Sequence, residues 1–302
     1  MIKKEEYVAY SYLMLTFTLW GSLYVVSKLV LGRIPLFTLS FLRFFFAFLL
    51  LLALNRGRLM KLKKGDYKFV ILLGFVGYFF AVGAQLLGTH YVGASLASLL
   101  NSLNPMTMYV FAVFLTQEKF SLQKILSIVI CAIGVLLIVG KGKELHRVGI
   151  LLSVISVIVW SLVSILMKKV MTKYPPLHIT CYGVGVACIC YLPISIGEYK
   201  ITGGFPLDMN IVLLIIYMGA ICTGLGYFLW NKSLAVLDPS TCAIFYPLQP
   251  VVSTILSVII LQEKISWSFI VGSLCIIVGV FINLYKTRGK QTCSNSKNLM
   301  KL

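Results

Sequence analysis

Two prolines, Pro105 and Pro250, lie near the centres of long apolar stretches of this sequence. Proline within a helix removes the hydrogen bond to the carbonyl four residues earlier, so free carbonyls are expected at positions 101 and 246. An unpaired carbonyl that faces lipid costs several kcal/mol, so these helix breaks or hinges should face protein, a water-filled cavity or a ligand. The alternative is a simple kink whose carbonyl is satisfied by a neighbouring hydroxyl. Asn101, Asn104 and Gln249 lie on the same stretches, which favours a polar cavity.

Arg43 could recognise an anion. Arg43 is the only basic residue near the middle of an apolar stretch. Because an isolated cation at mid-bilayer costs ~2.5–3.5 kcal/mol, its side chain should point inward. There it either anchors a carboxylate or phosphate of a bound molecule, or it pairs with backbone carbonyls in a structural role. The residue 140 positions later is Gly183, and this lack of a counterpart slightly favours the structural role.

Aromatic side chains deep within the apolar stretches form a third group. Trp and Tyr of membrane proteins are enriched at the two interfaces, so aromatic residues at mid-depth need another explanation. They either line a cavity for an apolar or aromatic molecule or pack between helices, and the sequence leaves both open. The group consists of Trp20, Tyr24, Tyr78, Trp160, Tyr227 and Tyr246, and Gln85 adds a polar contact close to Tyr78.

The sequence contains no pattern that indicates catalysis, a metal site or a cofactor. All nine acidic residues lie at the ends of apolar stretches or between them. Cys188-x-Cys190 lacks the spacing and the histidine partners of a zinc site, and there is no Gly-rich phosphate loop that would bind ATP. We therefore expect a protein that binds a small molecule and is not an enzyme.

The elements that position these residues are predicted to be transmembrane helices. Of the 302 residues, 59% are hydrophobic and 12% charged, and the mean hydropathy is +0.95. Soluble domains carry roughly 25% charged residues, whereas about twenty apolar residues cross the hydrocarbon layer as a helix. We predict an all-α integral membrane protein with ten transmembrane helices. The predicted spans are Ala9–Leu31, Pro35–Leu54, Lys68–Thr89, Val92–Thr116, Leu122–Gly140, Val148–Lys168, Pro176–Ile196, Asn210–Trp230, Asp238–Leu261 and Ser266–Tyr285.

The distribution of charge predicts the orientation of these spans. The formal net charge is +18, and with the N-terminus inside, 19 Lys and Arg residues fall on the inner face and 7 on the outer face. This asymmetry favours a cytoplasmic location for residues 1–8 and for the basic tail, residues 286–302. Basic loops of this kind contact anionic lipids of the cytoplasmic face, and nucleic acid is not expected as a partner. The exception is Lys141–Arg147, which places three basic residues outside.

The two halves of the chain repeat one pattern. The pairs 145 positions apart are Pro105/Pro250, Glu118/Glu263 and Gly134/Gly279, and the pairs 140 positions apart are Trp20/Trp160, Lys28/Lys168 and Pro35/Pro175. The copies are residues 9–140 and 148–285, with five spans each. Because five is odd, the second copy enters the membrane from the opposite face, with Glu118 inside and Glu263 outside. Such inverted repeats are the architecture of many secondary transporters.

These motifs resemble the EamA family of the drug/metabolite transporter superfamily. The resemblance rests on Trp20-Gly21-Ser22, on Arg43-Phe44 and on a Pro-x12-Glu block after each fourth helix, and it covers Ser11 to Tyr285. The second copy departs mildly from it, because Trp160 is followed by Ser161. The resemblance implies a secondary transporter of the cell membrane that exports amino acids or other small metabolites, with alternating access between the repeats.

Two other functions remain as alternatives. A pore for small solutes usually builds its filter from re-entrant segments or oligomeric rings, and no half-length span is apparent. A polytopic membrane enzyme needs an acidic or His/Asp cluster at one face, and none is present. Small-residue patterns such as Gly93-x-x-x-Ala97 allow close helix packing, either within one chain or across a homodimer. Because no acidic residue lies at mid-depth, we expect facilitated, gradient-driven export or exchange without proton coupling.

Overall fold

The computed structural model of the protein describes residues 4–116, 147–205, 208–237, 239–243, 245–275 and 277–279, with scattered positions between 126 and 137 and at 282. The regular elements of this described part are all helices. They are α1 (Lys4–Val30), α2 (Leu36–Leu54), α3 (Lys64–Val92), α4 (Ala94–Asn101), α5 (Asn104–Thr116), α6 (Arg147–Met171), α7 (Pro176–Thr202), α8 (Met209–Val236), α9 (Pro239–Ala243), α10 (Leu248–Ile260) and α11 (Trp267–Gly279).

Among the described residues, six helices are long and apolar enough to cross a membrane: α1 from Glu5 onward, α2, α3, α6, α7 and α8. They coincide with the first three predicted spans of each half. Together with the apolar composition, they identify a multi-pass integral membrane protein of all-α class. The predicted fifth span, Leu122–Gly140, lies mostly outside the described residues, and α11 covers part of the tenth.

The helix ends follow local signals in the sequence. Pro35 precedes α2, and Pro175 and Pro176 begin α7, because proline fits the first turn of a helix, where an N–H has no intrahelical partner. Asp208 caps α8 by accepting the Ile211 backbone N–H at 2.8 Å. Gly203 ends α7 with a φ of +69°, a left-handed conformation that glycine adopts without a steric penalty.

The predicted fourth and ninth spans are interrupted helices, which corrects two expectations from the sequence. The fourth divides into α4 and α5, and the ninth into α9 and α10, so Pro105 and Pro250 lie in the first turn of the second helix rather than mid-helix. The Asn101 carbonyl accepts the Asn104 side-chain amide at 2.7 Å, and the Tyr246 carbonyl accepts the Gln249 backbone N–H at 3.0 Å. These carbonyls are therefore bonded rather than free, and half-length helices do occur. Hydropathy could not reveal this, since the apolar stretch continues across each break.

The long helices α3 and α8 each contain a π-helical segment, Gly74–Ala81 and Tyr217–Leu225. In each segment, a carbonyl accepts a hydrogen bond from a side chain of another helix. The Phe79 carbonyl accepts the Tyr191 hydroxyl at 2.6 Å, and the Cys222 carbonyl accepts the Trp20 indole N–H at 3.1 Å. The wider π turns thus dock α3 onto α7 and α8 onto α1.

The helices pack in matching sets. α1 packs against α8 and α10, and α6 packs against α3 and α5. α2 packs against the π-helical segment of α8, and α7 against that of α3, while α2 and α7 also contact each other. Glycine permits a close crossing of α2 and α8, since a Cβ at Gly219 of α8 would lie 2.7 Å from the Arg43 carbonyl oxygen of α2.

Candidate substrate cavity

A cavity lies between α1, α2, α3, α6 and α8, beside the breaks of the two interrupted helices. Its lining brings together eight of the residues singled out in the sequence: Trp20, Tyr24, Arg43, Gln85, Asn101, Trp160, Tyr227 and Gln249. These residues come from α1, α2, α3, α4, α6, α8 and α10, so the cavity exists only in the folded chain.

Three aromatic rings form one wall of the cavity. The centroid of Tyr227 lies 5.4 Å from that of Trp160 and 5.5 Å from that of Trp20, and the two indoles are 6.2 Å apart at nearly right angles. The Trp20 N–H donates to the Cys222 carbonyl, and the Trp160 N–H donates to the Tyr246 hydroxyl at 3.0 Å. Because both N–H groups are bonded within the protein, the wall offers ring surface rather than indole donors.

Tyr78 and Tyr246 lie behind this wall rather than in it. Tyr78 packs edge-on against Tyr227, with centroids 4.8 Å apart, and its hydroxyl accepts the Asn231 side-chain amide at 2.9 Å. Tyr246 is fully buried and holds the Trp160 indole. Both residues therefore position the wall, and they are not among the residues that line the cavity.

The breaks of the interrupted helices are tied together by amide side chains. The Asn101 Nδ2 group of α4 donates to Gln249 Oε1 of α10 at 2.6 Å. Asn104 is fully buried beside the cavity, donating through Nδ2 to Asn101 Oδ1 at 2.8 Å and accepting the Ser161 hydroxyl of α6 at 2.9 Å. The predicted polar residues thus form one hydrogen-bonded chain, and Asn101 and Gln249 are its members on the cavity surface.

Arg43 is 3% exposed and lines the cavity. Its Nε donates to the Thr223 hydroxyl, which itself donates to the Met218 carbonyl at 2.7 Å in the π-helical segment of α8. Within the described part of the chain, no carboxylate lies within 4.0 Å of Arg43, and the ion pairs found there join Arg33 with Asp208 and Lys173 with Asp66. Arg43 thus combines a structural contact through Nε with a cationic group at the cavity.

Sequence reasoning missed seven lining residues, which are Leu23, Ser27, Ala81, Val82, Leu86, Thr89 and Ser156. Most of them could have been found by helical spacing. Ser27 lies one turn after Tyr24, and Thr89 lies one turn after Gln85, so each faces the same side as a predicted residue. Gln85 donates to the Tyr24 hydroxyl at 2.5 Å, which joins α3 to α1 at this level.

Glu263 lies at the N-terminus of α4 rather than in the cavity. Its carboxylate accepts the Ser95 hydroxyl at 2.6 Å and the Ala94 backbone N–H at 3.4 Å. A carboxylate at this position satisfies unpaired N–H groups and interacts favourably with the helix dipole. Its predicted counterpart, Glu118, lies outside the described residues.

A family model described as the EamA-like transporter family matches residues 8–140 and 147–285 of this chain. The chain is 27% identical to an uncharacterized transporter, YetK, of Bacillus subtilis, over 95% of this chain and 90% of that protein. It is 25% identical to a protein of Salmonella typhimurium named "Probable amino-acid metabolite efflux pump", over 97% of this chain and 98% of that protein.

A solved crystal structure shares the fold. It superimposes with a TM-score of 0.69 at 18% sequence identity, and the match covers 93% of this chain and 97% of that one.

Proposed function

The chain belongs to the EamA-like transporter family, and from this premise we propose that it is a secondary transporter that exports small metabolites such as amino acids or related compounds. The observation that carries the proposal is the cavity, which lies deep among the membrane-spanning helices and joins aromatic, amide and cationic groups. Midplane sites beside interrupted helices are typical of secondary transporters. The relatives named as amino-acid metabolite efflux pumps agree with the export of small metabolites.

We further propose that ten transmembrane helices form two inverted repeats of five, residues 9–140 and 148–285. The double match of the family model supports this arrangement. Equivalent elements of the two halves also support it, because they begin at similar distances along the sequence. The helices that follow the breaks begin at Asn104 and Leu248, and the π-helical segments begin at Gly74 and Tyr217. With both termini cytoplasmic, as the loop charges predict, the plasma membrane is the expected location.

We also propose alternating access, which the different contacts at the two ends of the cavity support. Toward the N-terminal end of α1, Phe17 packs against Tyr246 and Trp230, with centroids 4.7 and 5.6 Å away. Toward the other end, Lys28 donates to the His90 carbonyl at 2.9 Å, and Glu263 holds the start of α4. Rocking of one repeat against the other would break one set of contacts while the other set closes. No acidic residue lines the cavity, which supports gradient-driven export without proton coupling.

Metabolite profiling tests the proposal. We expect a small metabolite to accumulate in the medium of cells that express the protein. The same metabolite should not accumulate in the medium of cells that lack the protein. Purified protein in proteoliposomes should then give saturable counterflow of that metabolite. Unchanged medium, or a flux that rises linearly with concentration as in a pore, would contradict it.

A further inference from the structure

We propose that the cavity selects organic monoanions that carry a carboxylate and an aromatic ring, in preference to zwitterions and cations of the same shape. This inference rests on the proposed transport function and narrows the cargo of the same site, from amino acids and related compounds to the related compounds that lack the amino group. It derives from the charge, the hydrogen-bonding state and the ring geometry of the lining residues.

The charge of the lining is the first observation. Arg43 is the only ionised side chain among the residues that line the cavity, which include no Asp, Glu, Lys or His. A buried cation is costly unless it is paired, and no described carboxylate lies within 4.0 Å of this guanidinium. A guanidinium has five N–H donors in a planar fork that matches a carboxylate. The partners of Arg43 are the hydroxyls of Thr223 and Tyr227, and neither supplies a counter-charge. A carboxylate of the cargo would supply the missing counter-charge.

The acceptors of the cavity are the second observation, because an ammonium group of a zwitterion or cation would need them. Asn101 Oδ1 already accepts from Asn104, and Gln249 Oε1 already accepts from Asn101. The carbonyls at the two helix breaks are bonded as well. An ammonium would therefore enter a site with a like charge at Arg43 and no carboxylate. The groups left to it are neutral, such as the Gln85 side-chain oxygen, the lining hydroxyls and the ring faces, and they offset only part of its lost hydration.

The aromatic wall is the third observation. Trp20, Trp160 and Tyr227 are fixed by mutual ring contacts, and the N–H groups of both indoles are bonded away from the cavity. Aromatic pairs prefer offset or edge-to-face contacts with centroids about 4.5–7 Å apart. A ring carried by the cargo can add to such a cluster, while its carboxylate reaches Arg43 on the adjoining α2.

Three compounds that share one phenyl ring separate these preferences. 3-Phenylpropanoate is phenylalanine without its amino group, and 2-phenylethylamine is phenylalanine without its carboxylate. Binding to the purified full chain is measured by isothermal titration calorimetry. We expect 3-phenylpropanoate to bind at least about tenfold more tightly than phenylalanine, and 2-phenylethylamine to bind most weakly. Equal or tighter binding of phenylalanine or of the amine would overturn the proposal.

Variants of Arg43 separate anion recognition from a purely structural role. Arg43→Gln should weaken binding of 3-phenylpropanoate by about 10- to 100-fold, as expected for loss of a charged hydrogen bond, and Arg43→Lys should recover part of it. The uncharged 3-phenylpropanamide is the matched ligand, and its affinity for Arg43→Gln should stay within about threefold of the wild-type value. An equal loss of affinity for both ligands would assign Arg43 a structural role and refute the proposal. If Arg43→Gln does not fold, the wild-type comparison of the three compounds still decides it.

Counterflow in proteoliposomes distinguishes failure of this inference from failure of the transport function. Selective binding of 3-phenylpropanoate without counterflow of any compound would contradict transport and leave the selectivity intact. Saturable counterflow of phenylalanine that 3-phenylpropanoate does not inhibit would support transport and overturn the selectivity.

Discussion

At the scale of single residues, the residue after Trp20 and the residue after Trp160 differ for a structural reason. A Cβ at Gly21 would lie 2.7 Å from Val252 Cβ and 2.9 Å from the Gln249 carbonyl oxygen, so glycine is required where α1 crosses α10. The equivalent Ser161 instead donates its hydroxyl to Asn104 Oδ1. The departure of the second copy from the Trp-Gly motif therefore adds a hydrogen bond to the polar chain at the helix break.

The Trp160–Tyr246 hydrogen bond gives a prediction at this scale. Tyr246→Phe and Trp160→Phe each remove the same bond, and Tyr246→Phe leaves a buried indole N–H without its partner, which costs about 1–3 kcal/mol. We expect each variant to lower the unfolding free energy measured by SDS titration in mixed micelles. The double variant should lower the unfolding free energy by less than the sum of the two single-variant losses. Tyr7→Phe, at a tyrosine that is 60% exposed, is the control and should be neutral. Strict additivity would mean that the bond contributes nothing.

At the scale of helices, the breaks and the π-helical segments determine where functional groups lie. The end of α4 places Asn101 at the cavity, and the start of α10 places Gln249 opposite it. The π-helical segment of α8 presents Thr223 to Arg43 and the Cys222 carbonyl to Trp20. Irregular helices thus supply polar groups within an apolar bundle, where a regular helix would bond all of its own backbone groups.

The crossing of α2 and α8 gives a prediction at this scale. Gly219→Ala would place a Cβ 2.7 Å from both the Arg43 carbonyl oxygen and Phe46 Cβ. Because backbone cannot move aside as a side chain does, we expect a loss of about 1–3 kcal/mol, as for overpacked cores, and a lower melting temperature in detergent. Gly197→Ala in α7 is the matched control, since nothing lies within 4 Å of its added Cβ. A stable Gly219→Ala variant would show that the crossing is looser than described.

At the scale of the whole molecule, corresponding contacts recur in the two halves. Lys28 of α1 donates to the His90 carbonyl near the end of α3, and Lys168 of α6 donates to the Leu237 carbonyl just after α8, at 2.8 Å. The cavity lies where the two halves meet, so relative movement of the halves would change its accessibility. This arrangement predicts that the corners after the fourth and ninth spans lie on opposite faces of the membrane.

Cysteine labelling tests that prediction in cells. In a background without native cysteines, Lys264→Cys should react with a membrane-impermeant maleimide added to intact cells. Lys119→Cys should react only after permeabilisation, because the loop charges place it in the cytoplasm. Labelling of both positions from the same side would rule out inverted repeats.

Membrane insertion, helical class and the approximate bounds of the first three spans of each half were determined by the sequence alone. These properties depend on the hydropathy of about twenty consecutive residues, which is local information. The repeated Trp, Pro and Glu positions also marked residues that the fold brings to the cavity or to helix ends, as Trp20 and Glu263 illustrate.

The tertiary structure alone decided which of these residues share a surface. Arg43 contacts Thr223 and Trp20 contacts Cys222 across 180 and 202 positions of the sequence, and no local pattern encodes such pairings. It also placed Tyr78 and Tyr246 behind the aromatic wall, and it divided the fourth span before Asn104 and the ninth span before Leu248. The physical reason is that packing against distant helices determines which side chains are buried and where a helix is interrupted. Those helices also form hydrogen bonds with the backbone groups that an interruption leaves unpaired.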